Sequence, residues 1–152
     1  MSVCQRILVA LENSPYDAAI LEYIRPFARV CGASLVLIHV ADGYAAQHIH
    51  DLNLRESEEI RQDRAYLEKV AETLAGEGFA VESVLAGGDP ANEIIAAAER
   101  EHCDLIAMST HGHRWFKDLL FGSVAEAVRH RTTIPVLLVR GRSGGAQLTG
   151  RP

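Results

Sequence analysis

Apolar residues along the chain gather into four short continuous runs, at residues 6–11, 34–40, 104–108 and 134–139, and into a fifth, at 80–85, that alternates less cleanly. Between the runs they recur every three or four positions. A run of this length bounded by turn residues predicts a strand buried on both faces, and the three-to-four spacing predicts an amphipathic helix. Ile20, Leu21, Ile24, Phe27, Ala28 and Cys31 form one helical stripe. Ile60, Leu67, Val70, Ala71 and Leu74 form a second, closed by Gly76 and Gly78, and Ile94, Ile95 and Ala98 a third. Residues 124–128 continue as a fourth helix. Strands alternating with helices predict one α/β domain with five parallel strands, right-handed crossovers and helices on both faces.

Local signals refine this outline. Ser14-Pro15-x-Asp17 predicts the start of the first helix, with Ser14 as cap, Pro15 at the first helical position and Asp17 reaching back as in a capping box. Pro26 is expected to kink this helix or to mark an irregularity, and Gly32 to end it. Asp89-Pro90 repeats the cap-plus-proline logic for the third helix. Residues 41–53 show no period and read as a loop. Pro135 cannot donate to a central ladder, which predicts an edge position for the last strand. A bare apolar edge invites pairing, so a homodimer is expected, with contacts centred on Val136 and Leu138. The domain is expected to span residues 1–141, followed by a flexible glycine-rich tail at 142–152.

Composition narrows the function classes. The chain has 152 residues, enough to fold around its own core, and only 6% are aromatic, so that core is chiefly Val, Leu, Ile and Ala. A formal net charge of −5 weighs against nucleic acid or an acidic membrane as partner. No apolar run approaches the ~18 residues of a membrane span. Cys4, Cys31 and Cys103 form no CxxC pair, and no leader is visible before the first strand. Reduced thiols in a cytoplasm are the expectation.

The candidate chemistry lies after the fourth strand. Met108 and Ser109 lead into His111-Gly112-His113, and Gly122-Ser123-Val124 open the following helix. Strand, glycine loop and helix start together make a phosphate site. Backbone N–H groups and the helix dipole attract an anion, and glycine lets it approach closely. In open α/β sheets ligands lie beyond the carboxyl ends of the strands, where the strand order reverses. Ala10, Leu11 and Glu12 after the first strand and Val40 after the second fall at that end. Glu12 is placed to accept from a ribose or a base amino group, and Gly112, Gly122 and Ser123 to hold phosphates.

Ser109-x-x-Gly112, nine residues, then Gly122-Ser123 resembles the signature of the nucleotide-binding branch of the universal stress proteins, Gly-x-x-Gly, nine residues, Gly-Ser or Gly-Thr. The opening run ending in Leu11-Glu12-Asn13-Ser14 resembles that family's first strand, which usually ends Val-Asp-Gly-Ser. The closing residues 134–140 also resemble its last strand. This chain departs at Ser109 for the first glycine, Glu12 for the aspartate and Asn13 for the glycine after it. The resemblance covers about residues 4–141 and implies a doubly wound sheet like that of the adenine nucleotide alpha-hydrolases, with strand order 3-2-1-4-5. It also implies a stress-response switch that binds ATP, ADP or AMP, with or without Mg, and signals to a protein partner. The alternative is a dimeric adaptor that binds no nucleotide.

Other motifs weigh less. The histidines around Gly112 suggest the HxGH motif of nucleotidyltransferases, but that motif follows a first strand. His48, His50 and Asp51 lack a third spaced ligand and read as solvated loop residues. Trp115 and Phe116 read as packing against the glycine loop. No nucleophile accompanies Glu12, so a ligand-binding role suits it better than catalysis.

Overall fold

A computed structural model of the chain describes residues 3–41, 58–110 and 123–141. The elements are β1 (Arg6–Ala10), α1 (Asp17–Cys31), β2 (Ser34–Ala41), α2 (Glu58–Gly76), β3 (Val81–Gly87), α3 (Pro90–Arg100), β4 (Leu105–Ser109), α4 (Ser123–Arg131) and β5 (Val136–Val139). The five strands form one parallel sheet in the order β3-β2-β1-β4-β5. Chain order runs outward from β1 in one direction and then returns to its other side. The reversal therefore lies between β1 and β4.

Alternation along the central strands divides the core in two. Ile7, Val9, Leu35, Leu37 and Ala107 point to one face, where they pack with Ile20, Ile24 and Ala28 of α1 and Leu67 and Leu74 of α2. Leu8, Val36, Ile38, Ile106 and Met108 point to the other, against Ala91, Ile94 and Ala98 of α3 and Ala125 and Val128 of α4. Both faces are covered by helices, which explains why these strands read as unbroken apolar runs rather than alternating ones.

The helix ends show what local sequence controls. Gly32 adopts φ 65 and its N–H reaches the carbonyls of Ala28 and Arg29, a left-handed stop that glycine takes without steric cost. The Asp89 side chain accepts from the Asn92 N–H at 3.0 Å, capping α3 as expected. The start of α1 differs from expectation in its first residue. The helix begins at Asp17, with Tyr16 as N-cap and no side-chain cap. Ser14 and Pro15 lie in the preceding turn, where the Ser14 hydroxyl accepts from the Tyr16 N–H at 3.3 Å and Asp17 accepts from the Ser14 N–H at 3.4 Å, the reach-back expected of a capping box; Asp17 also serves two N–H groups further back. α1 runs on through Pro26 to Cys31 without a break in its helical assignment.

β5 is an edge strand, as Pro135 implied, and Leu138 on it is 39% exposed. The loop read at 41–53 falls, from residue 42 onward, outside the described residues, and so does the tail at 142–152. Among the described residues no helix is long and apolar enough to cross a membrane.

Candidate functional site

The corner where β1 ends is built by a tight turn. Asn13 has φ 57, in the left-handed region where a side chain is ordinarily disfavoured. Asparagine is among the few residues that tolerate it. Here its Nδ2 also donates to Asp63 Oδ1 at 2.8 Å. Asn13 thus fits a left-handed backbone and adds a tether to α2.

The turn exposes three successive backbone N–H groups, and Asp17 takes them all. Its carboxylate accepts from the N–H of Glu12 at 2.9 Å, of Asn13 at 2.8 Å and of Ser14 at 3.4 Å. The Tyr66 hydroxyl of α2 donates to the same group at 2.6 Å. Asp17 is buried, and burial lifts its carboxyl above the ordinary range while these hydrogen bonds pull it back. Tyr66 is pushed up as well, first by burial and then by the neighbouring Asp17 charge.

Glu12 is half-buried beside this centre. Its Oε2 accepts from the Ser14 hydroxyl at 3.2 Å. Burial, and then the Asp17 charge, push its carboxyl up to about 7, with the Ser14 bond opposing. Behind the turn, His39 of β2 is buried. Its Nδ1 lies 2.8 Å from the Leu11 carbonyl, which can only accept, so Nδ1 carries a proton. Its Nε2 stands 3.2 Å from Asp63 Oδ2. A chain of contacts therefore runs from β2 through α2 to the turn after β1.

The expected site residues divide into several groups. Ala10 ends β1 and Leu11 follows it, but Leu11 is core: its N–H donates to Ile38 O at 2.8 Å and its carbonyl is engaged by His39. Val40 and Met108 are likewise buried apolar residues close to the ends of β2 and β4. Ser109 is the last residue of β4, paired with Val139 of β5. It is extended, so serine replaces the family's glycine there without backbone strain. Ser123 starts α4, and Val124 packs on the core beside it. His111, Gly112, His113 and Gly122 lie outside the described residues, as do His48, His50, Asp51, Trp115 and Phe116.

One wall of the corner brings the expected Ser109 together with two residues not expected there, Tyr16 and Gly141. A Cβ on Gly141 would meet Tyr16 Cδ1 at 2.6 Å and Ser109 Oγ at 3.0 Å. The chain after β5 therefore passes too close to Tyr16 and Ser109 to carry a side chain. His39, Asp63 and Tyr66 also went unread, though each leaves a trace. His39 is the one ionisable residue in the apolar run of β2. Asp63 occupies the apolar stripe of α2 between Ile60 and Leu67, where a charged residue needs a buried partner.

A sequence model described as the universal stress protein family matches residues 4–140. Universal stress protein YxiE of Bacillus subtilis is 28% identical over 145 residues, covering 89% of this chain and 98% of that protein. The solved structure of MJ0577, whose sequence counterpart comes from Methanocaldococcus jannaschii, superposes with a TM-score of 0.79 at 27% identity, covering 93% of this chain and 99% of the other. Two more distant structures share the fold. One is a universal stress protein from Archaeoglobus fulgidus in complex with dAMP, with a TM-score of 0.66 at 20% identity and coverage of 91% and 99%. The other is a universal stress protein in complex with cAMP, with a TM-score of 0.72 at 18% identity and coverage of 93% and 100%. With the family match extending over nearly the whole chain and the fold in agreement, this protein belongs to the universal stress protein family.

Proposed function

We propose that this protein binds an adenine nucleotide beyond the carboxyl ends of β1 and β4 and acts as a cytoplasmic regulatory switch. The observation that carries the reading is the reversal of strand order between β1 and β4. Glu12 stands at the end of one of these strands, and the chain leaves the other toward a helix that begins at Ser123. Phosphates would lie against the N–H groups around Gly112, Gly122 and Ser123, and the ribose or base against Glu12. The dAMP and cAMP complexes of distant family members support an adenine nucleotide as the ligand class. In this reading occupancy changes segment 109–123 and a protein partner senses the change.

Calorimetry with ATP, ADP, AMP and cyclic AMP, with and without Mg, tests it. Micromolar binding, about −8 kcal/mol, is expected for at least one of them. Gly122→Val should abolish it while circular dichroism stays unchanged, because a β-branched side chain blocks the phosphate approach. No heat and no thermal shift at millimolar concentration would favour an adaptor that binds no nucleotide. Steady nucleotide turnover above background would instead indicate an enzyme.

The same proposal includes a homodimer through β5. Its support is the edge position of that strand and the exposure of Leu138. Val136 packs partly into the core, so Leu138→Lys is the cleaner test. Light scattering should show a dimer for the parent and a monomer for this variant. A monomeric parent at tens of micromolar would refute the assembly.

A further inference from the structure

We propose that Glu12 is a proton-gated acceptor: as a carboxylate it holds the donor groups of a bound adenine nucleotide, and a single bound proton weakens that grip. The proposal rests on the nucleotide reading above and adds its regulation. The geometry distinguishes two neighbouring carboxyls. Asp17 has four donors, three backbone N–H groups and the Tyr66 hydroxyl, all between 2.6 and 3.4 Å. Glu12 has, among the described residues, the one donor Ser14, whose hydroxyl lies at 3.2 Å. A carboxylate with several fixed donors keeps its charge, and a half-buried neighbour with one donor is the cheaper place for a proton.

The surroundings reinforce the asymmetry. The other titratable groups of this corner among the described residues are Tyr16 before α1, Asp17 of α1, Asp63 and Tyr66 of α2 and His39 of β2. Asp63 is engaged by Asn13 and stands by His39, and Tyr66 is committed to Asp17. The Glu12 carboxyl is accordingly pushed up to about 7, within the range over which cellular pH moves. Ribose hydroxyls and the adenine amino group are donors. They bind an ionised carboxylate through charge-assisted hydrogen bonds and a protonated one far more weakly. By reciprocity, a nucleotide that prefers the ionised form must expel the proton and lower the Glu12 midpoint.

Two measurements on the full chain test this, with AMP as probe, or ATP should AMP give no heat. Carbon-13 carboxyl NMR, with Glu12→Gln to assign the resonance, gives the Glu12 midpoint in the free and nucleotide-saturated protein. Calorimetry from pH 5.5 to 8.5 gives the affinity of the parent and of Glu12→Gln. The phosphate of the probe titrates identically against both proteins, so the ratio of affinities isolates Glu12. The expected result is a free midpoint near 7 that falls by a unit or more on binding. The parent's advantage over Glu12→Gln should shrink about five- to tenfold between pH 8 and pH 6, as the ionised fraction drops. A free midpoint below 5, a midpoint unmoved by nucleotide, or a pH-independent ratio would overturn the gate while leaving nucleotide binding intact. No binding of either nucleotide at any pH would overturn the nucleotide reading itself, and the gate with it.

Discussion

At the amino-terminal end of the sheet Arg6 meets Glu82 at 2.7 Å and Glu101 at 3.0 Å, and its Nε donates to the Glu101 carbonyl at 2.8 Å. Asp104 completes this end by accepting from the N–H groups of Gln5 and Arg6. Each charge has an opposite charge or a direct donor, and the groups are at least partly in reach of water. The carboxyl-terminal end gathers Glu12, Asp17 and Asp63 around a tyrosine, an asparagine and a histidine. Two of these acids, Asp17 and Asp63, are buried, and Glu12 is half-buried. The first end holds together β1, β2, β3 and the end of α3, an arrangement that serves the fold. The second concentrates like charges at the place where strand order reverses, which costs stability and suits a binding site.

The sharpest way to break this contrast is Asp17→Ala. It leaves three part-buried N–H groups and the Tyr66 hydroxyl without their acceptor, and should cost about 3 kcal/mol in urea unfolding. A loss well under 1 kcal/mol would mean that the turn finds other partners and that Asp17 does not organise the corner.

Glu12→Gln should act in the opposite direction. Glu12 titrates higher in the folded chain than in the unfolded one, so its contribution is most favourable below the ordinary carboxyl range and is lost as pH rises through about 7. The glutamine variant should therefore match the parent near pH 4 and exceed it at pH 8 by about 2 kcal/mol, after discounting for solvent access. Denaturant unfolding at both values checks the sign. A destabilised variant at pH 8 would show that the ionised carboxylate is held by favourable partners.

Arg6→Met tests the other end and should have the smallest effect, a loss of about 1 kcal/mol, because partly exposed ion pairs are worth little and the methionine keeps much of the side-chain packing. The loss should diminish between 0.1 and 1 M salt, whereas the Asp17→Ala loss should not. Equal salt dependence at both ends would erase the distinction drawn between them.

Much of the fold was legible because its signals are local. The apolar runs named all five strands to within two residues at each end, and Gly32, Asp89 and Pro135 marked a helix stop, a helix start and a sheet edge. Asp17 shows the limit. A capping box accounts for its bond to the Ser14 N–H, and only the turn of Asn13 into the left-handed region brought the N–H groups of Glu12 and Asn13 within its reach as well. His39, Asp63 and Tyr66 are separated by up to 50 positions from the residues they contact. No spacing in the chain announces such contacts.

The sequence by itself determined the element order, the all-apolar central strands and the family motif, because each depends on neighbours within a few residues. The tertiary structure alone decided the rest. Ser109 in place of glycine is harmless because the ladder with Val139 keeps it extended. Asn13 tolerates its left-handed turn as a residue type, and Asp63, delivered by α2, adds the partner for its side chain. Glu12 is shifted toward neutrality by burial and by Asp17, and desolvation is a property of everything packed around a group rather than of its position in the chain.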